Sequence, residues 1–156
     1  MDGDGQHSPQ LIPEIMQKLY QGEDLVRASR FHPQSQKSYL PPGWLLWNQK
    51  VTAEINRITQ WNLTDALCGM MGFSTTLAQR ILPHLEWDCY GYSIEILLKL
   101  FFLFPELRVY ELPHPAIYKG SSKLNQYQNP RFLQKRKKRF LTHLEQIQEL
   151  EQKLFK

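Results

Sequence analysis

Residues 2–7 read Asp-Gly-Asp-Gly-Gln-His. Two carboxylates one residue apart, ahead of a short polar turn, form a natural site for a hard divalent cation that takes oxygen ligands. Asp2 and Asp4 are therefore candidate metal ligands; the plainer alternative is a solvated turn with two ordinary acids. Arg30 closes a short apolar stretch, DLVRAS. A guanidinium there can grip phosphate oxygens in a two-pronged way that lysine cannot, and a surface arginine is the alternative. Lys119, Ser122 and Lys123 lie in the run KGSSKLN, whose glycine and serines let a phosphate approach the backbone; a solvated loop fits the same composition. Asp65 opens the turn TDALCGMMG, where an Asx-type turn or a helix cap competes with any chemical role. Glu95 falls within the most apolar segment of the chain, and a buried carboxylate there must be paired or hydrogen-bonded. His32, His84, His114 and His143 show no ligand spacing, and Cys68 and Cys89 form no CxxC motif. Both cysteines read as buried free thiols, which a reducing compartment suits.

These residues need elements to hold them. Leu11, Ile12, Ile15, Met16 and Leu19 fall at helical spacing, and Gly22 ends that helix near Tyr20. Residues 24–29 read as a short strand. Residues 31–43, rich in proline and serine, read as a long loop. Trp44, Trp47, Val51, Ile55 and Ile58 lie on one stripe of a second helix over about residues 44–59. Ser74 is placed to cap a helix running to about Leu82. Residues 93–104 form a strongly apolar helix that breaks before Pro105, and residues 107–112 alternate like a strand. From Pro130 onward the composition is that of one long helix, with Leu133, Phe140, Leu144, Ile147 and Leu154 on its apolar stripe. Strands alternating with helices predict an α/β body carrying a helical tail.

The 156 residues fit one domain with a real core, and 42% hydrophobic content argues against disorder. The net charge of +4 is carried by the tail: eight Lys/Arg face three Asp/Glu from Arg131 onward, so the body is close to neutral. The run Lys135, Arg136, Lys137, Lys138 and Arg139 is either a solvated helix face or a contact for anionic lipid headgroups. No aromatic-interleaved or helix-turn-helix pattern points to nucleic acid. The N-terminus is acidic and polar, unlike a signal peptide. The apolar run at residues 94–104 contains Glu95 and Lys99 and falls short of the ~20 residues a spanning helix needs.

Several pieces, in order, resemble glycosyltransferase family 2, in particular the branch of dolichol-phosphate mannosyltransferase-like enzymes. Asp2, Asp4, Gln6 and His7 are similar to that family's Asp-x-Asp-x-Gln-His stretch. Ala28-Ser29-Arg30 is similar to its Gly-Ser-Arg after the next strand. Asp65 to Met70 is similar to its Asp-x-x-x-Gly-Phe turn, and Gly91-Tyr92-Ser93-Ile94-Glu95 to its Gly-Tyr-x-x-Glu helix start. Glu111-Leu112-Pro113 and Gly120-Ser121-Ser122-Lys123-Leu124 are similar to its Val-Pro strand end and Gly-x-Ser-Lys-Leu loop. The departures are Met70 and Met71 where Phe-Arg is usual, and Tyr118-Lys119 where an arginine often stands.

The resemblance covers about residues 1–125. It implies the metal- and acceptor-side part of a GT-A (nucleotide-diphospho-sugar transferase-like) fold, followed by a basic helical tail over residues 126–156. The family's nucleotide-gripping strands precede its Asp-x-Asp, so the expected fold is partial, and Met1 is either a true start or an internal residue. The implied activity is inverting transfer of a hexose from a nucleotide-sugar to a lipid-phosphate or glycan acceptor. Mg²⁺ or Mn²⁺ would be held by Asp2, Asp4 and Gln6. Asp65 would act on the acceptor as base or orienting group, and Arg30, Lys119, Ser122 and Lys123 would meet phosphates. His7 and Glu95 would stand behind these groups. The expected location is cytoplasmic, with contact at the inner membrane face. The alternative is a truncated or split half that serves without catalysis as an interaction module.

Overall fold

The computed structural model describes residues 7–35, 42–86, 91–114 and 129–154. The chain is mixed α/β: α1 (Leu11–Tyr20), β1 (Leu25–Ser29), α2 (Pro42–Thr59), β2 (Met71–Phe73), α3 (Thr75–Ile81), α4 (Tyr92–Leu103), β3 (Val109–Pro113) and α5 (Pro130–Leu154). The three strands form one sheet in the order β2-β1-β3. β1 runs antiparallel to β2 and parallel to β3, with Arg27 opposite Met71 on one side and Glu111 on the other.

All five residues of β1 are buried. Alternation along the strand sends them to two cores. Val26 and Ala28 join Leu11 and Ile15 of α1, together with Cys68, Met70 and Leu112. Leu25 joins Val51, Ile55 and Ile58 of α2, the apolar α4, and Ile147 and Leu150 of α5. The sheet is thus sandwiched, with α1 on one face and the larger helical layer on the other.

Local signals set the helix ends. α1 stops in a Schellman arrangement: Gly22 takes φ +100°, its N–H donates to the Leu19 carbonyl, and the Glu23 N–H donates to the Lys18 carbonyl. Ser74 caps α3 by accepting from the Leu77 N–H at 3.1 Å. α4 is buried continuously from Ser93 to Leu100, which includes Glu95 and Lys99. These two pair at 2.8 Å, one turn apart. Glu95 also accepts from the Glu86 N–H, and Lys99 donates to the His84 carbonyl, so the apolar helix carries its charges in compensated form.

Two expectations need amendment. The residues after the 64–70 turn, read as merely small and apolar, form the edge strand β2. The basic tail is also no mere appendage: α5 packs on α2 and α4, its Ile147 and Leu150 complete the main core, and Glu151 pairs with Arg57 at 2.7 Å. Lys135, Lys137 and Lys138 are exposed on α5; the side chains of Leu133, Arg136, Arg139 and Phe140 lie outside the described set, as do Trp44 and Cys89. Among the described residues no helix is long and apolar enough to cross a membrane.

Gly72 is where α1 meets the sheet. A Cβ there would lie 2.4 Å from Ile15 Cγ2, a side chain already buried. Gly72→Ala should therefore cost about 1–3 kcal/mol by overpacking. In urea titrations the Gly72→Ala/Ile15→Ala double variant should lose less than the sum of the two single losses; strict additivity would mean that the contact does not limit packing.

Candidate functional site

Parallel pairing of β1 with β3 brings their carboxyl ends together, the place where α/β sheets commonly bind ligands. Arg30 follows β1 and His114 follows β3. The His114 N–H donates to the Ser29 carbonyl at 2.9 Å and to Ser35 Oγ at 3.0 Å. Antiparallel β2 presents its start to the same end, where the Ala28 N–H donates to the Met70 carbonyl at 2.9 Å. The turn over residues 64–70 therefore lies across the strand ends.

That turn is held from below by a charge. Arg27 has no exposed surface, yet its Nη2 donates to the carbonyls of Asp65, Ala66 and Cys68 at 3.3, 3.0 and 3.1 Å. From β3, Glu111 accepts from the Thr64 N–H and hydroxyl, both at 2.7 Å, and from the Asp65 N–H at 3.2 Å. From α2, Thr52 accepts from the Ala66 N–H and donates to Asn48. Burial draws the Arg27 pKa below its ordinary value, against the opposing pull of Cys68, Asp65, Glu111 and Tyr92. An arginine so placed stays charged.

Asp65 is fully buried, and Arg30 grips it with two bonds: Nε to Oδ2 at 2.6 Å and Nη2 to Oδ1 at 2.8 Å. The Arg30 N–H adds a bond to Oδ2, and Asn48 Nδ2 and the Leu67 N–H add bonds to Oδ1. Burial alone would raise the carboxyl pKa. The Arg30 charge and the bonds from Arg30 and Asn48 outweigh it, and the net shift is downward from 3.8. In this arrangement the carboxylate is an anionic clamp on Arg30. Taking a proton from an acceptor would first require the pair to open.

On the α1 side of the same strand ends lie His7, Cys68 and His114. His7 Nδ1 and His114 Nε2 are 2.8 Å apart, and the rings stack at 5.1 Å. A ligand atom from each of the three residues lies within 4.8 Å of the others. Burial, then electrostatic interaction with His7 and with Arg30, pushes the His114 pKa down to about 4. Burial, then the Asp65 charge, pushes the Cys68 thiol up to about 11.

Of the residues singled out from the sequence, Arg30 and Asp65 are thus joined, and His7 stands beside them. Glu95 is engaged with Lys99 and the Glu86 N–H inside the helical layer. Asp2, Asp4, Gln6, Lys119, Ser122 and Lys123 lie outside the described residues. From the sequence, Arg27, Asn48, Glu111, Cys68 and His114 carried no site role. A strand reading of residues 24–29 could have flagged Arg27, because it falls in the middle of an otherwise small and apolar strand. Cys68 and His114 gave no such signal, being brought to His7 only by the sheet. No protein-family model, no curated protein and no solved structure matches the chain.

Arg27→Met should keep the packing volume but leave the turn carbonyls unsatisfied in the core. We expect a loss of about 3–5 kcal/mol, read from chemical denaturation; a loss under about 1 kcal/mol would show that the turn does not depend on the guanidinium. Asp65 has a depressed folded-state pKa, so its contribution is fully present above 3.8 and is lost as pH falls below that value. The stability gap between the wild type and Asp65→Asn should be widest near neutral pH and should narrow on acidification past 3.8. A gap independent of pH would contradict the charged clamp.

Proposed function

We propose that the described residues form the acceptor-side wall of an inverting, metal-dependent glycosyltransferase of GT-A type, which moves a hexose from a nucleotide-sugar to a lipid-phosphate acceptor. One observation supports this reading. Four of the sequence pieces that carry the family resemblance are far apart in the chain, yet they supply His7, Arg30, Asp65 and Glu111 to a single end of the sheet. Arg30 bonds Asp65, Glu111 bonds the Asp65 amide, and His7 packs on the residue that follows β3.

Direct displacement at the anomeric carbon needs an acceptor oxygen on the face opposite the leaving diphosphate. A lipid phosphate is already anionic near neutral pH and needs no general base. That suits an Asp65 whose oxygens are occupied, and it favours a phosphate over a glycan hydroxyl. Arg30, held at the strand end with its plane fixed by Asp65, is the cation to orient such an acceptor. When bound, a divalent cation would neutralise charge on the departing diphosphate. The oxygen donors Asp2, Asp4 and Gln6 are outside the described residues, and the His7, Cys68 and His114 donors are too soft for Mg²⁺.

The test is calorimetric titration of the chain with Mn²⁺ plus UDP or GDP, and separately with citronellyl phosphate, a short water-soluble lipid phosphate. Saturable nucleotide binding that Asp4→Ala weakens, with phosphate binding that Arg30→Lys weakens about tenfold or more, is the expected outcome. Absence of both would overturn the reading and leave the non-catalytic interaction module in its place.

A further inference from the structure

We propose that His7, Cys68 and His114 form a binding site for a soft or borderline transition-metal ion, with Zn²⁺ as the natural occupant. The three residues come from three remote parts of the chain: the segment before α1, the turn before β2, and the residue after β3. They are buried to 9%, 0% and 0% exposure. Their ligand atoms lie within 4.8 Å of one another. With Zn–N near 2.0–2.1 Å and Zn–S near 2.3 Å, tetrahedral ligands sit about 3.3–3.6 Å apart. Ligand atoms within 4.8 Å of one another are about an ångström from that spacing, a side-chain adjustment.

A second observation is independent of that spacing. His114 is wholly buried, yet its Nδ1 has no hydrogen-bond partner among the described residues. The contact with His7 engages only the Nε2 of the ring. A buried polar atom left unmade costs about 1–3 kcal/mol, and such orphans in a native core call for a reason. An ion bound at Nδ1 would supply one, leaving the proton on Nε2 to face His7. The His114 backbone, fixed by Ser29 and Ser35, presents the ring from a rigid strand end rather than from a loop.

The donor set selects the ion. Two imidazoles and one thiolate suit Zn²⁺, Co²⁺ or Cu⁺ and disfavour Mg²⁺, Ca²⁺ and Mn²⁺, which prefer oxygen. On ligation the Cys68 thiol loses its proton to solvent, so binding releases one proton from sulfur. Three protein ligands leave the fourth tetrahedral position for water or another oxygen donor. The ion would staple the segment before α1 to the ends of β1 and β3. This inference does not rest on the glycosyltransferase reading, which calls for a hard cation on oxygen ligands.

The experiment is a Co²⁺ titration of the metal-stripped full chain followed by absorption, with Zn²⁺ competition and equilibrium dialysis for stoichiometry. We expect one ion per chain, the visible bands of tetrahedral cobalt, and a near-ultraviolet thiolate-to-cobalt band that Zn²⁺ abolishes and excess Mg²⁺ does not. Loss of outer partners alone costs metal sites roughly 10–100-fold, so Cys68→Ala should weaken binding by more than that and remove the near-ultraviolet band. His7→Gln, outside every helix and strand, tests a second ligand where folding is less exposed to change, and circular dichroism checks both variants. Wild-type protein that is folded but binds no Co²⁺ or Zn²⁺ would overturn the proposal. So would undiminished affinity in folded Cys68→Ala or His7→Gln. Neither result would bear on nucleotide or lipid-phosphate binding.

Discussion

Arg27 occupies the third of the five positions of the central strand, between Val26 and Ala28, and has no exposed surface. Taking a guanidinium out of water carries a penalty of several kcal/mol even after relaxation. Hydrogen bonds to a charged donor return about 1.5–3 kcal/mol each, so the two Nη2 hydrogens, shared among three carbonyls, can offset the penalty only if the 64–70 turn holds its shape. Much of the surrounding structure serves that condition. Glu111 fixes the turn's leading amides, Thr52 fixes the next, and Asn48 reaches Asp65 from α2. The charge and the turn specify each other: an alternative turn conformation would strand the guanidinium, and without the guanidinium the carbonyls would point into a dry core unpaired.

The same constraint shapes the surface end of the sheet. Arg27 and Arg30 are matched by Asp65 and Glu111, so the strand ends carry balanced charge in alternating order. Asp65 is the shared member. Its backbone carbonyl accepts from Arg27 below, and its carboxylate accepts from Arg30 above. Arg30 therefore owes its orientation to a residue that Arg27 places. A rigid guanidinium next to the mouth of a sheet loses little entropy on meeting an anion, which is what preorganisation contributes to binding.

The helices were largely legible because their signals are local. Gly22 and Ser74 mark ends that the backbone confirms, and the 3.6-residue stripes of Leu11/Ile15 and Val51/Ile55/Ile58 face the two cores. The strand Leu25–Ser29 was visible as an apolar run, although nothing in that run marked Arg27 as buried. β2 was hidden because three residues beginning at Met71 carry no periodicity. The packing of α5 was misjudged because its composition is dominated by lysine and arginine near its start, whereas its docking depends on Ile147 and Leu150 near its end. The pairing of Asp65 with Arg30 spans 35 residues, and that of His7 with His114 spans 107. Neither has a sequence period, since each is created by the β2-β1-β3 order. The family resemblance drew attention to His7, Arg30 and Asp65, but it said nothing of Cys68 with His114.

The two ligand sets suggested for metals differ in kind. Asp2, Asp4 and Gln6 offer hard oxygen, whereas His7, the next residue, turns toward nitrogen and sulfur partners. Hardness alone keeps the two chemistries apart, because Mg²⁺ gains little from a thiolate and Zn²⁺ prefers the thiolate to a solvated carboxylate. Charge then links the sets to the rest of the sheet end. A divalent ion on one thiolate and two neutral imidazoles leaves a net charge of one positive unit, adjacent to Arg30 and beyond the balance struck by Asp65 and Glu111. In a partly desolvated setting that surplus favours an anion at the fourth ligand position or beside it.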